Sequence, residues 1–229
     1  MSDVDKWYRN YWARHEARDI AYKTITAKCV SCEARAELNE YEQIIFEHTR
    51  TAERLLDFGA GDKALKKKFL NAGFRGIYET LDISSEDEHE YSALAQVVEK
   101  FDAILCLEVI EHITLNEYVD LMDGFGEILK PGGVLVVSTP NPLCVVPMWS
   151  GDPGHISQFP IADLSADFMI RGYKVQAWRV RYGAWPRRVV DRLRFFCMRV
   201  LTYLQSVDYA QGLLVIGKKL VADPLERRG

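Results

Sequence analysis

The sequence predicts an α/β fold, a doubly wound parallel sheet with helices on both faces. Three observations carry the expectation. From Arg54 onward short apolar runs alternate with amphipathic stretches, those runs lack the period-two polarity of a strand with one wet face, and a glycine turn joins the first run directly to a helix. A chain of 229 residues with 48% hydrophobic content can fill a core, and no repeat, low-complexity tract or Pro/Gly/Ser linker divides it.

Residues 1–53 are expected to be an N-terminal helical extension. Trp7, Tyr8, Tyr11, Trp12 and His15 stand at helical spacing within residues 3–22, and Leu38, Tyr41, Ile44, Ile45 and His48 within residues 33–50. The domain proper is expected over residues 54–219. It opens with a strand over Arg54–Phe58, the turn Gly59-Ala60-Gly61 and a helix from Asp62 to Asn71 ended by Gly73. Strands follow over Gly76–Leu81 and Ala103–Leu107, and the third strand of the rhythm, between them, is too poorly marked to place. A helix over Leu115–Leu129 is stopped by Pro131-Gly132-Gly133 before a strand over Val134–Ser138. Residues 139–160 hold five of the eight prolines and form a long loop at the carboxyl edge, where open α/β sheets place their sites. A helix over Ile161–Arg171 and strands over Tyr173–Val180 and Gly212–Lys218 close the domain, with residues 220–229 as a tail. Between the last two strands, residues 185–206 read as an inserted amphipathic helix carrying Val189, Leu193, Phe196, Val200 and Leu204 on one side.

The net charge of −4 gives no general attraction to nucleic acid, so no DNA partner is expected and RNA is disfavoured. The charge is unevenly spread. From Arg179 to Arg199 seven arginines face one aspartate, a local +6 that leaves −10 for the rest of the chain, and this Arg-rich insertion is the one feature suited to a membrane surface. The segment MSDVDKWYRN lacks the cationic and apolar regions of a signal peptide, and no uncharged run approaches the ~20 residues of a bilayer span, so the cytoplasm is the expected location. Free thiols are expected at Cys29, Cys32, Cys106, Cys144 and Cys197; Cys29 and Cys32 form a C-x-x-C without a second pair at zinc spacing.

The glycine turn lets a ligand approach backbone N–H groups at a helix N-terminus. Asp57 ends the strand before it, where a carboxylate repels a pyrophosphate but can pair with an ammonium. Asp82 ends the next strand about twenty residues on, the place of a ribose-hydroxyl acceptor. These residues, Leu55-Leu56-Asp57-Phe58-Gly59-Ala60-Gly61-Asp62 and Leu81-Asp82-Ile83-Ser84, are joined by Phe101-Asp102-Ala103-Ile104-Leu105-Cys106-Leu107-Glu108-Val109-Ile110-Glu111-His112-Ile113 and Leu129-Lys130-Pro131-Gly132-Gly133-Val134-Leu135. In that order they resemble the motifs of class I, Rossmann-like S-adenosylmethionine-dependent methyltransferases. The resemblance implies a seven-stranded sheet whose last strand is antiparallel and lies between its neighbours. It implies S-adenosyl-L-methionine as cofactor, with Gly59 and Gly61 near its methionine part, Asp82 on the ribose and Leu107 with Glu108 near the sulfonium. Ala60 and Ile83 belong to the same two motifs and are counted with the cofactor-binding residues. Lys63 replaces a usual glycine and leaves the backbone conformation there open.

Glu108, Glu111 and His112 stand at i, i+3 and i+4, which would put all three on one side of a helical turn. With His155 from the proline-rich loop they would make a divalent metal site. The pattern resembles the E-x-x-E-H run with a distal histidine of ubiquinone-biosynthesis O-methyltransferases and of enzymes that methylate the terminal ribose of small RNAs. Without a metal, His155 is the expected general base, since imidazole accepts protons at neutral pH. Trp149 is the expected wall of the acceptor pocket. The resulting expectation is O-methylation of a small-molecule hydroxyl, anionic or lipid-linked, with Glu108, His112 and His155 as catalytic residues. An RNA-end 2′-O-methyltransferase and a non-catalytic cofactor-binding subunit are the alternatives.

Overall fold

The computed structural model describes residues 5–25, 27–84, 87–144, 151–205 and 208–221. Seven strands form one sheet: β1 (Lys28–Cys32), β2 (Arg54–Phe58), β3 (Ile77–Leu81), β4 (Phe101–Leu107), β5 (Leu129–Pro140), β6 (Tyr173–Tyr182) and β7 (Gly212–Lys219). Their order is β1-β6-β7-β5-β4-β2-β3, with every pair parallel except those of β7, which runs antiparallel between β5 and β6. This is the Rossmann-like α/β sheet that the alternation and the motif order predict.

Unbroken apolarity in the strands follows from burial on both faces. Alternate residues point to opposite sides: Leu56, Ile104, Cys106, Leu135, Val137 and Val215 enter one core, and Leu55, Ala103, Leu105, Val136, Leu214 and Ile216 the other. The first core is covered by α5 (Leu115–Ile128) through Tyr118, Met122 and Phe125 and by α6 (Ile161–Ile170) through Leu164 and Phe168. The second is covered by α3 (Glu40–Thr49) through Ile45 and α4 (Ala64–Asn71) through Phe69. Capping boxes start two of these helices, Asn39 with Glu42 on α3 and Thr114 with Glu117 on α5.

The N-terminal extension differs from its expectation. The helical pattern over residues 3–22 splits into α1 (Asp5–Tyr8) and α2 (Tyr11–Thr24), and the next element is a strand. Only Trp7 of the aromatic group reaches the core, against Tyr118 and Phe159, while Tyr8, Tyr11 and Trp12 are exposed. Strand β1 pairs parallel with β6, Val30 opposite Val180, so the sheet begins at Lys28 and not at Arg54. Lys-Cys-Val-Ser-Cys has one strongly apolar residue, and its burial comes from the neighbouring strand and α3 rather than from its own pattern. This strand brings the sheet to seven. Between Leu81 and Phe101, where the rhythm asks for a third strand, the described residues make an isolated bridge from Leu81 to Tyr91 and a single 3-10 turn at Leu94–Gln96.

Strand β5 also starts earlier than its apolar run. Leu129 already pairs with Phe101, and Pro131-Gly132-Gly133, expected as a helix stop, forms an irregularity inside the strand with Gly132 at φ 78°. The insertion between β6 and β7 forms α7 (Val189–Gln205).

Candidate active site

The turn after β2 needs its glycines for two separate reasons. Gly59 has φ 77°, and a Cβ there would come within 2.4 Å of Val109 Cγ2. Gly61, at φ 48°, donates its N–H to Asp82 Oδ2 at 2.8 Å, while Gly59 and Ala60 donate to the Leu81 carbonyl at 2.8 and 3.2 Å. The other oxygen of Asp82 accepts from Ser84 N at 2.8 Å. Asp82 and the turn are thereby locked to one another across the ends of β2 and β3, with Ile83 beside them, 91% exposed. Lys63 takes the left-handed conformation that a glycine would, φ 57°, and its Nζ donates to the Glu88 carbonyl at 2.5 Å. That answers the question its sequence position raises: the backbone path of a glycine is kept with a side chain added.

Asp57 differs from the expected strand-end carboxylate. It lies within β2, two residues before Gly59, buried and accepting the Tyr78 hydroxyl at 2.7 Å, and burial pushes its pKa up to about 6.

Glu108 follows β4 with φ 54°, a strained value for a residue with a side chain. It is an exposed residue at the carboxyl edge, with its carboxylate held by two hydroxyl groups. Ser138 donates to Oε1 at 2.7 Å and Tyr182 to Oε2 at 2.9 Å, and Ser138 in turn accepts from the Tyr41 hydroxyl at 3.0 Å. The surrounding protein raises the Glu108 pKa, while the bonds from Ser138 and Tyr182 act in the opposite direction. Leu107, half-buried, ends the strand beside it. A Cβ on Gly212 would stand 2.7 Å from the Tyr182 oxygen, so that glycine makes room for the tyrosine. Tyr41 and Tyr182 are functional candidates that sequence reasoning missed. They come from α3 and β6, and only the sheet order brings them to Ser138 on β5.

Glu111 and His112 follow on a single 3-10 turn, Ile110–His112, and this overturns the spacing argument. With no α-helical turn there, Glu108 faces Ser138 and Tyr182 while Glu111 turns into the protein. Glu111 Oε2 accepts from Thr139 at 3.1 Å, whereas its buried Oε1 has no hydrogen-bond partner. Burial first and the charge of Glu108 second push the Glu111 carboxyl up to about 8. His112 is turned outward, and its Nδ1 donates to the Gly154 carbonyl at 3.2 Å. In the neutral imidazole this leaves the lone pair on Nε2, 4.0 Å from Glu111 Oε1.

The proline-rich loop supplies the remaining group. Ile156 N and Ser157 N donate to the Glu111 carbonyl at 2.8 and 3.1 Å, and Ser157 Oγ donates to the Ile113 carbonyl at 2.6 Å. His155 is thereby set with its ring centroid 4.8 Å from that of His112, and its Nε2 is 3.8 Å from Asp152 Oδ2. Ligand atoms of Glu111, His112 and His155 all lie within 4.8 Å of one another, so three of the four expected metal ligands are gathered and Glu108 is outside the group. One carboxylate, with an orphaned buried oxygen, and two imidazoles suit a borderline divalent cation, and the His112–Gly154 bond is the kind of outer contact that orients a ligating histidine. Trp149 lies outside the described residues. Cys29 and Cys32 are free thiols, the latter accepting a bond from Asn39.

Comparison with known proteins places this geometry among relatives. A family model described as a methyltransferase domain matches residues 28–178, well over half of the chain. A curated ubiquinone biosynthesis O-methyltransferase from Brucella anthropi is 48% identical over 50 residues, which are 21% of this chain and 19% of that protein. Among solved structures, a SAM dependent methyltransferase from Archaeoglobus fulgidus superposes with a TM-score of 0.62 at 15% identity, over 78% of this chain and 91% of that one. An O-methyltransferase family protein from Burkholderia thailandensis gives 0.53 at 14% identity, over 79% of this chain and 55% of that one. At such identities the superpositions speak for the fold. The chain spans about a fifth of the curated relative and about half of the Burkholderia protein.

Proposed function

The chain belongs to the methyltransferase-domain family, S-adenosylmethionine-dependent enzymes on a Rossmann-like sheet, and we propose that it methylates a hydroxyl oxygen of a small molecule at the carboxyl edge. The observation that carries this reading is the pair of imidazoles, His112 and His155, set 4.8 Å apart above the buried carboxyl of Glu111 on the same edge as the glycine turn. The local likeness to a ubiquinone-biosynthesis O-methyltransferase favours oxygen as the acceptor atom.

S-adenosylmethionine supplies the methyl group when bound. Gly59, Ala60 and Gly61 offer a close backbone approach, Asp82 the acceptor for ribose hydroxyls and Ile83 an exposed apolar surface for the adenine. Glu108, at the end of β4 with Leu107 beside it, would present negative charge to the cofactor's sulfonium. Asp57, buried and bonded to Tyr78, stands two residues before the first of these glycines. His155 takes the acceptor's hydroxyl proton at Nε2, and Asp152, 3.8 Å away, stabilises the imidazolium that forms. Glu111, His112 and His155 are also the residues that would hold a divalent cation, which when bound lowers the pKa of a coordinated hydroxyl. Holding acceptor and donor on one rigid edge supplies much of the acceleration.

The test is transfer of labelled methyl from S-adenosylmethionine to a panel of aromatic and aliphatic hydroxy compounds. His155→Ala is expected to lower kcat by roughly 10²–10⁴-fold with cofactor binding unchanged by calorimetry. Chelation followed by return of Mg²⁺, Mn²⁺ or Zn²⁺ separates the metal-assisted route from the metal-free one. Label found only on nitrogen or carbon, or rates indifferent to both His155→Ala and Glu111→Gln, would sink the proposal.

A further inference from the structure

The inserted helix α7 turns its smaller side to the protein and its larger apolar side to solvent. Inward, Phe195 packs edge-on against Trp185 and Tyr209, with centroids 5.8 and 5.4 Å apart, and Asp191 and Met198 are half-buried beside it. Outward, Val189, Leu193, Phe196, Val200 and Leu204 are 79, 61, 63, 43 and 70% exposed. Spacings of four, three, four and four place them within an arc of about 80° on a helix of 3.6 residues per turn. Isolated exposed apolar residues need no explanation, but a continuous row along one helix does.

The borders of that row are cationic. On the same wheel Arg192 and Arg199 fall along one side and Arg194 on the other, and Arg187 and Arg188 stand just before the first turn. At the helix and just before it, Arg187, Arg188, Arg192, Arg194 and Arg199 stand against the single Asp191, a local +4 on a chain whose net charge is −4; Arg179 and Arg181 belong to β6, where Arg179 pairs with Asp208. This charge selects the occupant. A second copy would set two strongly cationic helices against one another, which like-charge repulsion opposes. An anionic bilayer meets both features at once, because an apolar stripe sinks to the headgroup boundary while flanking arginines pair with phosphates. Among the described residues no helix is long and apolar enough to cross a membrane, so the contact is in the plane of the surface.

We propose that α7 docks this protein on anionic membrane surfaces, with Val189, Leu193, Phe196, Val200 and Leu204 entering the interface and Arg192 and Arg194 contacting lipid phosphates. Tyr182, which bonds Glu108, lies only a few residues before α7 begins, so docking brings the carboxyl edge close to the bilayer and gives it access to a lipid-borne acceptor.

The experiment is flotation of the full chain with large unilamellar vesicles of phosphatidylcholine, with and without phosphatidylglycerol, and needs no activity measurement. Wild type is expected to float with the anionic vesicles at least about tenfold more strongly than with neutral ones, and less as salt rises. Leu193→Asp with Phe196→Asp should lose about tenfold or more in partitioning, and Arg192→Glu with Arg194→Glu the anionic preference. The circular dichroism and Tm of both double variants should stay as in wild type, because all four side chains are exposed. Absence of flotation, or aspartate variants that float like wild type, overturns the proposal. So does a concentration-dependent dimer abolished by Leu193→Asp, which makes the face a self-interface, or salt-sensitive binding of short RNA without vesicle binding.

Discussion

Glu108 holds a left-handed backbone, φ 54°, and a carboxylate fixed by hydroxyl groups from two other strands. Tyr182→Phe removes one donor to the charged form, so the carboxyl pKa rises and the acid limb of the kcat/KM profile is expected to move to higher pH. Ser138→Ala should move it the same way and also free the Tyr41 hydroxyl. Asp57 supplies a stability test. Its pKa rises from 3.8 in a solvated chain to about 6 when folded, so its stabilising contribution is complete below 3.8 and is lost as pH climbs through 6. Asp57→Asn keeps an acceptor for Tyr78 and is expected to raise Tm at pH 7.5, with the gain vanishing toward pH 4. At Gly59 both φ 77° and the Val109 methyl oppose a side chain, so Gly59→Ala should cost about 1–3 kcal/mol in urea unfolding and abolish cofactor binding by calorimetry. At this scale the sequence was informative where a residue type is forced by its backbone. Gly59, Gly61 and Asp82 occupy the places their spacing assigns. It was uninformative for Glu108 and Asp57, because the partners that define them, Tyr182 and Tyr78, belong to other strands.

Helix α2 shows the same division between pattern and partner. Its aromatic residues suggest packing, yet its strongest tie is Arg14, buried, with its guanidinium 3.7 Å above the Trp7 ring and bonded to Asp167 at 2.7 Å. Asp167 is buried in α6 and accepts also from Tyr118 at 2.9 Å and Arg171 at 2.8 Å. Arg14→Ala would leave a buried carboxylate short of a partner and is expected to cost about 3–5 kcal/mol in chemical denaturation, whereas Lys6→Ala, which breaks the solvent-exposed pair with Asp120, should cost under about 1. An arginine on a short amphipathic helix reads as a solvated face; only the packing of α2 on α6, elements 153 residues apart at this contact, reveals it as an internal tie. The cluster at Glu111 follows the same logic, since i, i+3, i+4 spacing has geometric meaning only on an α-helix and the chain there makes one 3-10 turn.

Across the whole molecule β1 and β3 are the edge strands, each paired on one side only, while β4, β5 and β7 lie inside the sheet. Amide exchange should register this gradient, with Val30 and Cys32 exchanging orders of magnitude faster than Val136 and Val215 at neutral pH. The alternation of apolar runs, the glycine turn and the proline-rich loop determined an α/β sheet with the glycine turn and the acidic–histidine run at its carboxyl edge, because burial on both strand faces and backbone approach at a turn leave local, readable marks. The antiparallel last strand and the cofactor motifs were carried by the resemblance those residues bear. What tertiary structure alone decided was the seventh strand, drawn from Lys28–Cys32, the separation of Glu108 from Glu111, His112 and His155, and the outward apolar face of α7. A five-residue strand with one large apolar residue is stabilised by its neighbour, a carboxylate by donors distant in sequence, and the buried side of an amphipathic helix by whatever lies beneath it; none of these is written in local spacing.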